Sequence, residues 1–203
     1  MLDMFTESYE DIRNEMLQNL HEKYGIEFTA DSLERGSQDY LIAFPAGGNM
    51  QEDFVRIQRH GTGGSVRFND TFFGVIIRDD LESGVAAALA GIGLPFKVFF
   101  STDSFAFNNK FNGTKNLADF NAWIEDGNSS RLPITIILGV ETNDGAETVA
   151  NAAFKKIQKT GYMLHVTLNF TPNEIFEQIT RENRVNMLMQ HGSEMTSFTT
   201  SIN

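Results

Sequence analysis

The run LPITIILGV at Leu132–Val140, followed later by YMLHVTLNF at Tyr162–Phe170, decides the fold of the second half of this chain. The first run is almost uniformly apolar, which is typical of a central strand that is covered on both faces. The second run alternates apolar and polar residues, so one face of that strand is expected to be wet or to line a cleft. The helical pattern of Glu147–Lys159 lies between them. This order predicts an α/β layer.

The same rhythm extends to both sides of this unit. A β-prone run at Phe96–Ser101 and a helical pattern at Leu117–Glu125 precede it, and a helical pattern at Asn173–Asn183 follows it. Two of the helix starts read as capping boxes, Asp144-x-x-Glu147 and Thr171-Pro172-x-Glu174. The second half is therefore predicted to be a βαβαβα layer.

The first half has a different pattern. An amphipathic helix is predicted over Ser8–Tyr24, because apolar residues recur at spacings of three and four and Gly25 provides a stop signal. Four β-prone runs separated by turn signals then predict an antiparallel meander: Ile26–Leu33, Tyr40–Phe44, Asp53–Arg59 and Ser65–Phe68. A long helix over Asp70–Gly91 closes this half. The fold class expected for the whole chain is α+β.

The natural boundary follows the long helix, where the pattern changes after Gly93. We expect residues 1–93 to form the helix and meander, residues 94–184 the α/β subdomain, and residues 185–203 a tail; the subdomains could equally merge into one integrated domain. Within the tail, the β-prone run Met195–Ile202 is either a strand added to a sheet edge of this chain or of a neighbouring subunit, or a frayed terminus.

Composition excludes several classes of function. The net charge of −11 repels phosphate backbones and anionic lipid headgroups, so neither nucleic acid nor a membrane is an expected partner. The absence of cysteine excludes disulfides and thiolate metal sites, and the scattered histidines show no zinc spacing. We expect neither a metal nor a cofactor. The first residues lack the pattern of a signal peptide, which predicts a cytoplasmic protein, or a secreted one if a signal peptide was removed.

The start of the chain resembles a known kind of module. The opening helix ends in Glu22-Lys23-Tyr24-Gly25-Ile26-Glu27-Phe28, and glycine-interrupted strands follow it. This resembles the helix-then-meander start of cystatin-like modules, which are frequent in uncharacterised proteins of Gram-positive gut bacteria. The resemblance covers about the first third of the chain and implies a bacterial protein. It brings no functional residues with it.

Two residues are candidates for catalysis. Asp103 follows a predicted strand, and ligands of α/β sheets gather beyond the carboxyl ends of strands, although a turn or helix cap explains this residue as well. His165 shares a strand face with Thr167 and Asn169, three polar groups that could converge on a ligand. The alternative for His165 is a solvent-facing histidine on a half-covered sheet.

The phenylalanine-rich stretch after residue 98 suggests a second site. Phe105 and Asn108 belong to a series in which aromatic residues (Phe99, Phe100, Phe107 and Phe111) are interleaved with Asn109 and Asn112. Such a series forms either a surface that binds a sugar or a partner, or core beneath a long loop.

These features predict two classes of function. The first is a non-enzymatic binding or interaction protein that acts on another protein or on its own copies. The second is a small-ligand binder or hydrolase-like enzyme with a cleft near Asp103 and His165. A cleft that encloses at least two titratable groups would favour the second class.

Overall fold

The structure is a computed structural model that describes residues 7–61, 65–102, 107–128 and 130–202. It confirms the predicted α+β class. In chain order the elements are α1 (Tyr9–Tyr24), β1 (Phe28–Glu34), β2 (Asp39–Pro45), β3 (Val55–His60), β4 (Arg67–Asp70), α2 (Phe72–Leu89), β5 (Phe96–Phe100), α3 (Leu117–Glu125), β6 (Leu132–Val140), α4 (Ala146–Gln158), β7 (Leu164–Pro172), α5 (Asn173–Gln178), α6 (Arg184–His191) and β8 (Thr196–Ile202). No helix in the described ranges is both long enough and apolar enough to span a membrane.

The chain divides into two compact units. The first comprises Met1–Ile76 and Ala106–Lys115, and the second comprises Ile77–Phe105 and Asn116–Asn203. The boundary predicted after residue 93 differs from this division because α2 runs continuously across position 76. The segment after Phe107 returns to the first unit, where Phe107 pairs with Asp70 as an isolated β-bridge. The tail belongs to the second unit.

The first unit is built from α1 and the antiparallel meander. Its four strands pair in the order β1-β2-β3-β4, with a bulge in β1 between Ala30 and Ser32. The predicted apolar stripe of α1 is buried against one face of this sheet, with Ile12, Met16 and Leu20 at most 1% exposed. This helix followed by a meander is the arrangement that the cystatin-like resemblance implies. The resemblance itself stays a prediction.

A buried arginine links α1 to the meander. Arg59 on β3 donates to Glu15 on α1 at 2.7 Å and to Glu7 at 2.8 Å. Burial acts to lower the pKa of Arg59, but the hydrogen bonds and charges of Glu15 and Glu7 outweigh it and raise that pKa. The guanidinium therefore stays charged and holds two carboxylates beside the helix.

The second unit contains a mixed sheet in the order β5-β6-β7-β8. Strands β6 and β7 are parallel and α4 connects them, as the sequence predicts. However, β5 is antiparallel to β6, so the carboxyl end of β5 lies beside the amino ends of β6 and β7. The alternation of strands and helices cannot reveal this reversal, because a long connection such as Ser101–Arg131 permits either direction.

The two faces of this sheet are covered differently. Ala150, Ala153 and Ile157 form the buried side of α4, which packs along β8. On the opposite face, Phe99 and Ile137 pack with the segment of α5, whose Ile175, Phe176 and Ile179 are buried. Met187 and Leu188 of α6 pack against the same cluster. Farther from this cluster, β7 and β8 carry the polar side chains of His165, Thr167, Thr199 and Ser201 on this face.

The tail is ordered as a strand of this chain. Strand β8 pairs antiparallel with β7 along its whole length, from Thr196 opposite Phe170 to Ile202 opposite Leu164. Ile202 is only 4% exposed. Of the alternatives that the sequence left open, the structure shows the strand added to this chain's own sheet edge.

Candidate functional site

The polar residues predicted on β7 lie on one face of the second sheet. Alternation along β7 places His165, Thr167 and Asn169 on that face, and the register sets them opposite Ser201, Thr199 and Ser197 of β8. Ser197 donates to the Asn169 side chain at 2.6 Å, and His165 Nδ1 lies 3.3 Å from the Ser201 hydroxyl. The Thr167 and Thr199 hydroxyls are 3.4 Å apart. The candidate ligand-binding groups therefore form three cross-strand pairs, the "hydroxyl ladder" of β7 and β8.

His165 lies at the solvent-exposed end of this ladder. The carboxyl end of β5 lies near the same end of the sheet, because the Ser101 N–H donates to the carbonyl of Pro133 at 3.3 Å. Pro133 in turn lies beside His165 in the register of β6 and β7. Asp103 and Phe105 fall outside the described residues. A joint role for Asp103 and His165 therefore stays a prediction.

The other candidate, Asn108, belongs to the first unit and forms a local turn. Its side-chain oxygen accepts the Lys110 backbone N–H at 2.9 Å, and its carbonyl accepts the Phe111 N–H at 3.1 Å. The aromatic residues around it are core: Phe107 and Phe111 are at most 3% exposed and both pack on Phe73. Phe99 and Phe100 are also buried. For these four phenylalanines the structure shows the core alternative.

A cavity of about 510 Å³ lies at the carboxyl ends of the parallel strands β6 and β7. Apolar side chains provide much of its lining: Ile92, Leu94, Pro95, Val140, Ala146, Val149 and Phe170. Its polar lining comes from Glu141, Thr142, Asp144 and Asn173, which are all exposed. This is the position at which open α/β sheets hold ligands. The cavity lies at the opposite end of β7 from His165, which is not among its lining residues.

Gly139 shapes one wall of this cavity. A side chain at position 139 would have its Cβ 2.7 Å from Asn173 Oδ1 and 3.0 Å from the buried Phe176 ring. A larger residue at position 139 would therefore displace the Asn173 side chain and crowd the buried Phe176 ring. The sequence analysis missed this site, although a lone glycine near the end of an apolar strand is a signal that could have found it. The rule that ligands gather beyond strand ends was applied to Asp103, after β5.

Neither helix start beside the cavity has the predicted capping box. Helix α4 begins after Gly145, which has a left-handed φ of 75° and no side chain to accept a hydrogen bond. Helix α5 follows Pro172, again without a side-chain cap. Asp144 instead lies near Thr142, with its carboxylate 3.4 Å from that hydroxyl. The capping motif fails because a spacing of polar residues does not fix which residue is the N-cap.

The shifted pKa values of Lys23 and Tyr24 come from a buried cluster in the first unit. Burial lowers the pKa of Lys23, although Asp70 opposes the shift, and burial together with the charge of Asp70 raises the pKa of Tyr24. Lys23 Nζ lies 2.6 Å from Asp70 Oδ2, and the Tyr24 hydroxyl donates to Asp70 Oδ1 at 2.7 Å. These groups hold the fold together and do not line the cavity described above.

The four sheet edges differ in their protection. Strand β1 carries a bulge and two acidic residues, and β4 is only four residues long and is bridged by Phe107. On β5, the Phe100 N–H donates to the Glu82 carboxylate at 2.7 Å. Strand β8 is seven residues long and has no charge, no proline and no register shift. Helix α4 packs against one face of β8, but the strand itself carries no protective device, and we call it the unguarded edge of the described sheets in this sense.

Within the described ranges, no group of three or more histidine, aspartate or glutamate side chains is arranged to hold a metal ion. Compared with protein-family models, with curated proteins and with solved structures, this chain has no match.

Proposed function

We propose that this protein is a non-enzymatic binding protein that recognises an extended segment of a polypeptide by adding it to the edge of β8. The observation that carries the proposal is the unguarded state of this strand. Natural sheets block their edges with charges, bulges or prolines because an open edge pairs with other strands. An edge that keeps none of these devices, beside three edges that have them, is suited to strand addition.

The side chains of β8 support this assignment. The hydroxyl ladder holds the strand in one register, so its outer backbone groups are presented in a fixed geometry. On the other face, Phe198 is half-buried and stacks edge-on against Phe170 at a centroid distance of 5.8 Å. An added strand would cover the remaining exposed part of Phe198. Backbone hydrogen bonds would supply affinity, and contacts with these side chains would supply selectivity.

The exposure of the polar groups around the cavity also favours binding over catalysis. Glu141, Thr142 and Asp144 lie exposed at its rim, where water has access to them. Acid–base catalysis benefits from groups that are shielded from water and held close to the reacting atoms. Two titratable groups, Glu141 and Asp144, line this cavity, but both are exposed at its rim and the cavity does not enclose them, so they lack that shielding.

Site-specific photo-crosslinking tests the proposal. A photoreactive residue at Thr199 should give a covalent adduct with a polypeptide in cells of the source organism, and the crosslink should map to an extended segment. The same residue at the exposed position Glu10 of α1 serves as the control. Equal labelling at the two positions, or none at Thr199, would refute strand addition at β8.

The cavity favours a second candidate function, binding of a small ligand. Its volume falls within the usual range of ligand pockets, and two carboxylates at its rim together with an apolar interior suit an organic ammonium compound. A thermal-shift screen with amines of graded apolar size tests this. Replacing Val149 by Trp, which fills the cavity, should abolish any shift. A shift that survives in this variant would place the ligand elsewhere.

A further inference from the structure

Strand β8 has a sequence that can pair with itself. An antiparallel pairing of two copies about a two-fold axis at Thr199 sets Ser197 of one copy opposite Ser201 of the other, and Phe198 opposite Thr200. Residues that lie opposite each other in such a pair point to the same face. The serines and Thr199 would therefore meet on the face of the hydroxyl ladder, and Phe198 and Thr200 on the face of α4.

The side chains match on both faces. On the ladder face, each serine is already bound from the β7 side by Asn169 or His165, so the row of polar contacts would continue into the second copy. On the α4 face, the methyl group of Thr200 would cover the exposed part of the Phe198 ring of the other copy, and the contact would occur twice. A two-fold interface requires this kind of self-complementarity.

The distribution of charge also favours β8 as the surface through which two copies associate. Each chain carries a net charge of −11, so most surfaces of two copies repel each other. Strand β8 carries no charged residue, and the part of β7 that pairs with it contributes only His165. The edge is therefore a place where two acidic chains can approach without bringing carboxylates together.

We infer that the polypeptide recognised by β8 is a second copy of this chain, and that the two four-stranded sheets join into one continuous sheet across β8. This inference rests on the proposed function, since it names the partner of the same strand edge. It predicts a dimer with an isologous interface centred on Thr199.

Paired charge substitutions test the inference in the full-length chain. In the double variant S197K/S201K, each lysine lies opposite a lysine of the second copy, whereas in S197K/S201E each lysine lies opposite a glutamate. Both variants lose the same serine hydroxyls, so the loss of the Asn169 contact is common to them. Both positions are exposed, and circular dichroism verifies that each variant stays folded.

Sedimentation equilibrium then compares the association constants. We expect the wild type to be a dimer in the micromolar range and S197K/S201K to associate at least about tenfold more weakly than S197K/S201E. A wild type that stays monomeric at all concentrations would overturn the inference. Two double variants that associate equally would also overturn it, because the register about Thr199 would then be wrong.

The crosslinking experiment separates this inference from the proposed function. An adduct at Thr199 with twice the mass of the chain supports the second copy as the partner. An adduct with a different polypeptide keeps strand addition as the function but overturns the inference about the partner. No adduct at Thr199 overturns both.

Discussion

The carboxylate of Asp70 is a buried charge of the first unit that three groups satisfy directly. Its side chain is fully buried and lies 2.6 Å from Lys23 Nζ, whose side chain is 4% exposed. The other carboxylate oxygen accepts the Tyr24 hydroxyl at 2.7 Å and the Phe72 N–H at 2.9 Å. A buried charge is tolerated only when such partners satisfy it. Three elements meet at this carboxylate: the end of α1, the end of β4 and the start of α2.

Removing the counter-charge of Asp70 should be costly, and neutralising Asp70 at the same time should offset part of that cost. We expect Lys23→Met to lower the free energy of unfolding by about 3–5 kcal/mol, because it leaves Asp70 buried without its counter-charge. The double variant K23M/D70N should lose less than the sum of the two single variants. Urea unfolding followed by circular dichroism measures all three. Glu27→Gln, which breaks the exposed pair with His21, is the control and should change stability by less than about 0.5 kcal/mol.

Tyr24 should give the stability a dependence on alkaline pH. Because its pKa in the folded state is raised above the ordinary value of 10.0, the stabilisation it provides is fully present below that pH and is lost as the pH rises further. The unfolded chain can then ionise Tyr24, whereas the folded chain cannot. Lys23, whose pKa is lowered by burial, acts in the opposite direction as the pH approaches 10.5. Lys23 is present in both the wild type and the Tyr24→Phe variant, so its effect is common to both.

We expect Tyr24→Phe to cost about 1.5–3 kcal/mol near neutral pH, because a hydrogen bond to a carboxylate is lost. Above pH 10 the stabilities of the variant and the wild type should converge. Denaturant unfolding at a series of pH values measures this difference. A difference that stays constant up to pH 11 would show that Tyr24 ionises in the folded protein as easily as in the unfolded chain.

At the scale of elements, apolar periodicity predicted most helices and strands. The bounds of α3 and β6 match the predicted Leu117–Glu125 and Leu132–Val140. Helix α6 was not predicted, because none of its residues is fully buried and its apolar Val185 and Met189 are exposed. In the described part of the chain, capping boxes form between Ser8 and Asp11 and between Asn116 and Asp119, and both use aspartate at N3. A search for glutamate at that position misses them.

The candidate site was harder to predict because it depends on strand direction. The sequence placed polar groups correctly on one face of β7, since alternation fixes the face of a strand. The sequence could not show that β5 is antiparallel to β6. The rule that ligands bind beyond the carboxyl ends of parallel strands was therefore applied to Asp103, whereas the cavity at those strand ends is lined by Glu141 and Asn173. Whether β8 is an edge strand also depends on the strand order, which only the folded chain reveals.

Helix α1 should be integral to the first unit. Leu20 is fully buried against the meander, so Leu20→Asp places a charge where no partner can reach it. We expect hydrogen exchange to show loss of protection in α1 and in β1–β3. Asn14→Asp adds the same charge on the exposed side of α1 and should leave protection unchanged. Retained protection in the Leu20→Asp variant would show that the helix is peripheral.

At the scale of the whole molecule, the net charge of −11 acts against every partner that is also acidic. It disfavours nucleic acid, and it disfavours a second copy of this chain over most of the surface. Association through β8 must therefore overcome a long-range repulsion with short-range backbone and side-chain contacts. The two contributions differ in their dependence on salt, because screening reduces only the interaction between charges.

Salt should therefore strengthen the proposed dimer. The screening length falls from about 10 Å at 0.1 M salt to about 3 Å at 1 M, so repulsion between two acidic chains weakens while the contacts along the uncharged β8 remain. We expect the association constant of the wild type to rise several-fold over this range in sedimentation experiments. In S197K/S201E, the same screening weakens the introduced lysine–glutamate pairs, so its association should rise less or fall. If the wild-type dimer instead dissociates as salt is added, opposite charges must meet in its interface. Strand β8 provides none, and the two copies would then be joined by another surface.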